Sequence, residues 1–268
     1  MNAPRQSFTR MAAPAPGRPA ETRHRPPTAG ASRGPQPAVS VKTIAVVGGS
    51  GAGKTWFVRR LCRVFGGAAS HLSLDDFYRD RSHLSMGRRA RLNFDIPDAI
   101  DWSDAATVLQ HCRAGRPTAL PAYDFATYSR QPARRSWEPR ALVFADGLWL
   151  LRPAEMRPLF DLKLYLDTPT GLRLERRVAR DTAERGYTAE AVRERLESMV
   201  LPMHARYVEP QKRHAHLVLS QPYREAEVAA LAAALWPLVA DLDLPVVADP
   251  GTLRQELLTA LLHHEYAS

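Results

Sequence analysis

The segment Gly48-Gly49-Ser50-Gly51-Ala52-Gly53-Lys54-Thr55 constrains this chain more than any other, because the spacing GxxxxGK[ST] calls for one local structure. Its glycines let backbone N–H groups converge on phosphate oxygens, its lysine reaches the outer phosphates, and its hydroxyl residue can hold a metal ion. That geometry requires a buried strand before the loop and a helix after it. Val41 to Val47 is a β-branched apolar run that stops at the glycines, as a buried parallel strand does. From Lys54 to Phe65, Phe57, Val58, Leu61 and Val64 recur at helical spacing, and Gly66-Gly67 closes the helix.

The order of the remaining elements extends this start into a sheet. A short strand ends at Leu74 and delivers Asp75 and Asp76. Ser103 is expected to cap a helix running to about Cys112, followed by a loop from Pro121 to Pro139. Strands at Ala141 to Ala145 and Leu162 to Leu166 come next, then Arg-rich helices at about Thr170 to Glu184 and Ala189 to Tyr207, and a last strand at Leu217 to Leu219. Strands alternating with helices behind such a loop predict an α/β fold, a doubly wound parallel sheet of the P-loop NTPase type. Ligands of such sheets lie outside the carboxyl ends of the strands.

Charge and composition set the domain limits. The formal net charge is +9, but residues 1–39 hold six arginines against Glu21 alone, so most of the excess sits in a stretch rich in Pro and Ala with few large apolar residues. Such a stretch cannot bury enough surface to order itself, and it is expected to be a disordered tail. Its functional alternative is a polyanion-binding arm. Residues 40–222 form the expected P-loop domain and 223–268 a helical extension packed on it, with Leu253, Leu257, Leu258, Leu261 and Leu262 as a stripe. Cys62 and Cys112 are the two cysteines and fit neither a disulfide framework nor a zinc site. No apolar run is long enough to span a bilayer, and a cytoplasmic protein without membrane contact is expected.

The loop assigns nucleotide contacts to Gly48, Ser50, Gly51, Ala52, Gly53, Lys54 and Thr55, but it serves GTPases and transport ATPases as well as kinases. Phosphoryl transfer to an acceptor also needs an acid on the metal side and a group that deprotonates the acceptor. Asp146 closes the apolar strand Ala141 to Ala145 and reads as the metal-side acid, with Thr55 beside it. Asp75 reads as the acceptor base and a member of the metal shell, with Asp76 as the fallback. Arg173, Arg177 and Arg180 share one face of their helix, where fixed cations can stabilise charge on a transferring phosphoryl group. A solvated face interleaved with Glu175, Asp181 and Glu184 fits the same spacing. Tyr123, Phe125 and Tyr128 alternate with smaller residues and suit either a flat ring or ordinary anchoring of a loop.

Six segments carry a more specific resemblance: GGSGAGKT; LDDFY at Leu74 to Tyr78; NFDIPDAID at Asn93 to Asp101; YDFATYSR at Tyr123 to Arg130; RRVARDTAERG at Arg176 to Gly186; and VEPQKRHAH at Val208 to His216. In these the chain resembles the uridine kinase family, kin to phosphoribulokinase, from about Thr43 to Leu219, which implies that the P-loop fold is of the nucleoside and nucleotide kinase-like type with a helical lid. The resemblance implies phosphorylation of a nucleoside 5′-hydroxyl, on uridine or cytidine, with ATP or GTP and Mg²⁺. It implies Asp75 as catalytic base beside Lys54, Asp95 as a ribose-hydroxyl ligand, and Tyr78, Tyr123 and Phe125 as pocket walls. Arg177 and Arg180 become phosphate contacts, and the segment around Arg185 becomes the lid over the nucleotide. Members of the family are often homotetramers, so a homo-oligomer is the implied state, and nucleic acid is not an expected partner.

Departures from the family pattern fall at the acceptor end. Tyr128 stands where the family usually has His, Tyr187 where it usually has Arg, and Arg195 where it usually has Gln; Asp146-Gly147 replaces Glu-Gly. Tyr128 and Tyr187 are therefore candidate substrate contacts whose chemistry differs from that of the family. Two alternatives stand beside the nucleoside kinase: a related kinase acting on a phosphorylated sugar or pantothenate-like alcohol, and a P-loop ATPase whose basic tail binds nucleic acid. Neither an NKxD nor an LSGGQ motif supports the second of these.

Overall fold

A computed structural model of the chain divides it into two units, Met1–Gln36 and Pro37–Ser268. It describes residues 41–221 and 225–235, without the side chains of residues 184, 185 and 225–227. The tail expected at 1–39 and the leucine stripe after 252 lie outside the described residues.

Nine strands and seven α-helical segments follow in order among the described residues: β1 Lys42–Gly48, α1 Lys54–Phe65, β2 Ala69–Ser73, α2 Met86–Ala90, α3 Trp102–Arg113, β3 Thr118–Leu120, β4 Tyr123–Asp124, β5 Ser129–Arg130, β6 Arg135–Trp137, β7 Leu142–Gly147, β8 Leu162–Asp167, α4 Thr170–Arg185, α5 Ala189–Arg195, α6 Leu201–Met203, β9 Leu217–Ser220 and α7 Glu225–Leu235. The central sheet has the order β2-β7-β1-β8-β9, and every pairing in it is parallel. Because β1 lies in the middle, the loop that follows it opens where the chain changes sides, at the carboxyl edge where ligands of such sheets bind.

Both faces of the sheet are covered. On β1, Ile44 and Val46 face Phe57, Val58 and Leu61 of α1 and Val228, Leu231 and Leu235 of α7, while Ala45 and Val47 face Val108, Leu109 and Cys112 of α3. This two-sided burial explains why β1 and β7 read as continuous apolar runs rather than alternating ones. The described part of the expected C-terminal extension is thus helical and packs on α1. Among the described residues both cysteines are free, and no helix is long and apolar enough to cross a membrane.

Several expected boundaries shift, each for a local reason. The second strand stops at Ser73, whose hydroxyl accepts from the Asp75 amide at 3.4 Å and starts a tight turn over Leu74–Phe77. The cap of α3 is Asp101, which accepts from the Asp104 amide at 3.3 Å, so Ser103 already lies inside the helix. The segment 121–139 is not a plain loop: β3 pairs with β6 and β4 with β5, both antiparallel. The long helix expected over Ala189–Tyr207 is broken into α5, wide π-type turns at Leu196–Val200 and His204–Val208, and α6 between them. Pro202 has no amide to donate and its ring crowds the preceding turn, which favours a widened helix there.

One buried side chain holds the far side of the site together. Gln211, 2% exposed, accepts from the Leu151 amide at 2.9 Å and donates to the carbonyls of Leu148 at 2.8 Å and Tyr207 at 3.0 Å. Gln211→Ala leaves these backbone groups buried and unpaired and should lower stability by about 2 kcal/mol. The shift of the urea-unfolding midpoint measures it, and an unchanged midpoint would show that the groups find other partners.

Candidate active site

The glycine-rich loop takes its shape from α4. Gly51 has φ +80, and a side chain there would meet the Arg173 carbonyl at 2.4 Å, so both conformation and space exclude anything larger. Arg173 itself is 3% exposed, donates to the Thr168 carbonyl at 3.1 Å and the Thr170 hydroxyl at 3.1 Å, and packs against Gly49. The shared arginine face expected from spacing is therefore corrected: Arg173 props the loop from behind, and Arg176 joins Arg177 and Arg180 on the cleft wall instead. The reason is that the start of α4 tucks under the loop while its later turns swing past the loop's open side.

A cleft of about 560 Å³ runs over the loop. Ser50, Gly51, Gly53, Lys54 and Thr55 line one end, and Asp75, Tyr78, Asp95, Phe125, Tyr128, Asp146, Arg177, Arg180 and Tyr187 line the rest. Gly48 and Ala52 lie in the loop without lining the cleft; Ala52 is fully buried and its carbonyl accepts from Thr168 at 3.2 Å. Tyr123 does not reach the cleft wall either. It stands behind Tyr78 and Phe125, with ring centroids 5.1 Å from each, and braces them. Arg185 ends α4, and its side chain lies outside the described residues. Asp76 is also absent from the cleft lining, which separates it from Asp75.

The two strand-end acids differ in surroundings. Asp146 is 2% exposed at the end of β7, accepts from the Thr55 hydroxyl at 2.6 Å, and is bonded by His71 Nε2 at 2.9 Å from β2. Burial works against its ionisation, but the bonds from His71 and Thr55 and the Lys54 charge outweigh it and hold the carboxyl below its usual range. The Asp75 side chain is exposed to the cleft, although protein closes around it on its other sides. Burial first, then the Asp146 charge, raise its carboxyl to about 6, against the pull of Lys54 and Arg180. Water in the cleft moderates that rise, and closure of the cleft would strengthen it. Gly147 brings the two acids together: a side chain there would meet Leu74 Cβ at 2.5 Å, so β7 and the Leu74-Asp75 turn touch without one. Lys54 donates to the Gly49 carbonyl at 3.0 Å, and burial lowers the pKa of its ammonium despite Asp146 and Asp75 nearby.

The arginines are pre-set by one buried carboxylate. Asp181 accepts from Arg177 Nε at 3.3 Å and from Arg180 Nη2 at 2.8 Å. Arg177 also donates to the Ser50 hydroxyl at 3.0 Å and lies 4.0 Å from Asp95. Burial raises the Asp95 carboxyl, opposed by Arg177 and Arg195. At the far end Tyr78 packs edge-on against Phe94 and Phe125, and Tyr128 stacks on Phe94 at 5.3 Å with 13° between the rings. The Tyr128 and Tyr187 hydroxyls bond each other at 2.5 Å, joining the β4–β5 turn to the segment after α4. Tyr128 reaches this position with φ 50, a conformation strained for a residue with a side chain.

Sequence reasoning missed His71, Phe94, Trp56, Arg59 and Arg176. Phe94 was signalled by its place beside Asp95, and Arg176 by its neighbour Arg177. His71 carried no signal, since nothing in a strand sequence says which neighbouring strand end it will meet.

Residues 43–228 match the model of the phosphoribulokinase/uridine kinase family. A uridine kinase from Chloroflexus aggregans is 40% identical over 176 residues, 65% of this chain and 84% of that protein. One from Staphylococcus epidermidis is 34% identical over 179 residues, 66% of this chain and 86% of that protein. Among solved structures, the phosphoribulokinase from Rhodobacter spheroides aligns with a TM-score of 0.53 at 20% identity, over 68% of this chain and 71% of that one, a likeness of fold.

Proposed function

Because the chain belongs to the phosphoribulokinase/uridine kinase family, we propose that it phosphorylates the 5′-hydroxyl of a pyrimidine nucleoside, uridine or cytidine, using ATP or GTP as donor. One observation carries this reading: Asp75, in the turn after β2, and Asp146, at the end of the neighbouring β7, line a single cleft that leads from the phosphate loop to an aromatic wall. A P-loop switch or ATPase has no use for the second half of that cleft. The uridine kinases that match this chain at 34–40% identity favour a nucleoside over a phosphorylated sugar.

In this reading the loop amides and Lys54 hold the donor phosphates, and Arg177 and Arg180 hold charge on the group in transfer. Thr55 and Asp146 would hold Mg²⁺, with Asp75 at the edge of its shell. Among the described residues no group of three or more His, Cys, Asp or Glu could enclose a metal, which suits an ion bound by one or two carboxylates plus phosphates. Bound Mg²⁺ would supply neutralisation of charge on the phosphate oxygens. The proton of the acceptor hydroxyl passes to Asp75, Asp95 binds ribose hydroxyls, and Tyr78, Phe125 and Tyr128 grip the base. Such an enzyme serves pyrimidine salvage in the cytoplasm, as a homo-oligomer in the manner of its family.

Chromatographic assay of ATP-dependent phosphorylation across a panel of nucleosides and sugar phosphates tests the proposal. Product from uridine or cytidine is expected; activity confined to sugar phosphates would overturn it. Tyr128→His breaks the bond to Tyr187 and places a different donor at the base. It should change the uridine-to-cytidine ratio of kcat/KM by about fivefold or more, the worth of one net hydrogen bond. An unchanged ratio would remove Tyr128 from the base pocket.

A further inference from the structure

The donor end of the cleft holds an aromatic ring that the proposed chemistry leaves unused. Trp56 follows Thr55 in the first turn of α1, is 40% exposed, and lines the cleft. Core packing does not account for it, because α1 turns Phe57, Val58, Leu61 and Phe65 inward and leaves Trp56 outside. Helical spacing puts Arg59 and Arg60 three and four residues further on, on the same side of α1. The Arg60 guanidinium lies over the indole, 5.5 Å from its centroid, and Arg59 lines the cleft beside it. Arg176, 3.4 Å from where a side chain on Gly53 would begin, closes the same end.

A triphosphate seated on the loop points its last phosphate at Asp75, so its sugar and base must run the other way. The acceptor end is occupied by Asp95 and the Tyr78 cluster; the opposite end is where Trp56 stands. We propose that Trp56 is the stacking platform for the purine base of the donor nucleotide, one face of the indole taking the base while Arg60 covers the other. The proposal rests on the reading of the loop as a nucleotide donor site. An aromatic face meets the π surface of a base rather than its hydrogen-bonding edge, so the same platform serves adenine and guanine.

The test measures binding of ATP and of inorganic tripolyphosphate by isothermal titration calorimetry to wild type and to Trp56→Phe, Trp56→Leu and Trp56→Ala. ATP affinity should fall about tenfold in the Leu and Ala variants and stay near wild type in Phe, because stacking needs a planar ring and not apolar bulk. Tripolyphosphate affinity should not move in any of them. Parallel losses for both ligands, equal ATP affinity in all four proteins, or rescue by Leu would each overturn the platform. A wild-type protein that binds no ATP would overturn the donor-site reading itself, and is told apart by that result.

Discussion

Asp75→Asn should bind ATP as the wild type does and turn over about a thousandfold more slowly, the usual loss when a positioned general base is removed. The substitution keeps the shape of the side chain and its place after the Ser73 turn, so neither the loop nor the cleft should change. The wild-type rate carries a second mark of the same group. A base works only when ionised, and burial with the Asp146 charge raises this carboxyl to about 6. The raised pKa means the protonated, inactive form persists to higher pH than for an ordinary aspartate. Measured as kcat/KM for the acceptor at saturating donor, activity should therefore fall as pH drops through about 6, approaching about tenfold per pH unit below it. Any metal cation bound beside Asp75 moves that limb lower, not higher. The residual activity of Asp75→Asn should lack the limb. A variant with near-wild-type turnover, or one that keeps the acid limb, would assign the base elsewhere.

Lys54→Ala should lower kcat by about a hundred- to a thousandfold, the range found when one preorganised charge is taken from a transition state. Its ammonium donates to the Gly49 carbonyl at 3.0 Å and is attracted by Asp146 and Asp75, so the fold holds the charge in place before any ligand arrives. A longer, planar guanidinium cannot place its charge where the compact ammonium sits on the Gly49 carbonyl, so Lys54→Arg should fare no better although it keeps the charge. Retention of more than about a tenth of the wild-type kcat in Lys54→Ala would show that the arginines alone neutralise the transferring group.

How much of the site could be read beforehand depends on the range of the interaction involved. The loop, the strand that enters it and the helix that leaves it are consequences of residues within about one turn of each other, and Lys42–Phe65 forms them, although the buried face of α1 closes on Phe65 and leaves Val64, expected on that face, exposed. Asp75 and Asp146 were legible as strand-end acids for the same local reason. The arginines were legible only in part. Spacing on α4 predicted a shared face for Arg173, Arg177 and Arg180, but burial of the first turn of α4 against Gly49 and Gly51 takes Arg173 out of the cleft. Alternation leaves Tyr123 open between gripping a ring and anchoring its loop; the resemblance implies a pocket wall, and the ring stands behind Tyr78 and Phe125 instead.

The sequence alone determined the phosphate loop, the parallel α/β class and the family, because those rest on short-range spacing and on six ordered segments. It also singled out Tyr128 and Tyr187 as departures, without linking them. Only the tertiary structure decided that their hydroxyls meet across the cleft, that His71 bonds Asp146 and that Trp56 stays outside the core. The first two depend on the docking of α4 and on sheet order, in which residues 59 and 75 positions apart become neighbours, and the third on which face of α1 meets the sheet. Local spacing carries no term for such contacts; the packing of whole elements settles them.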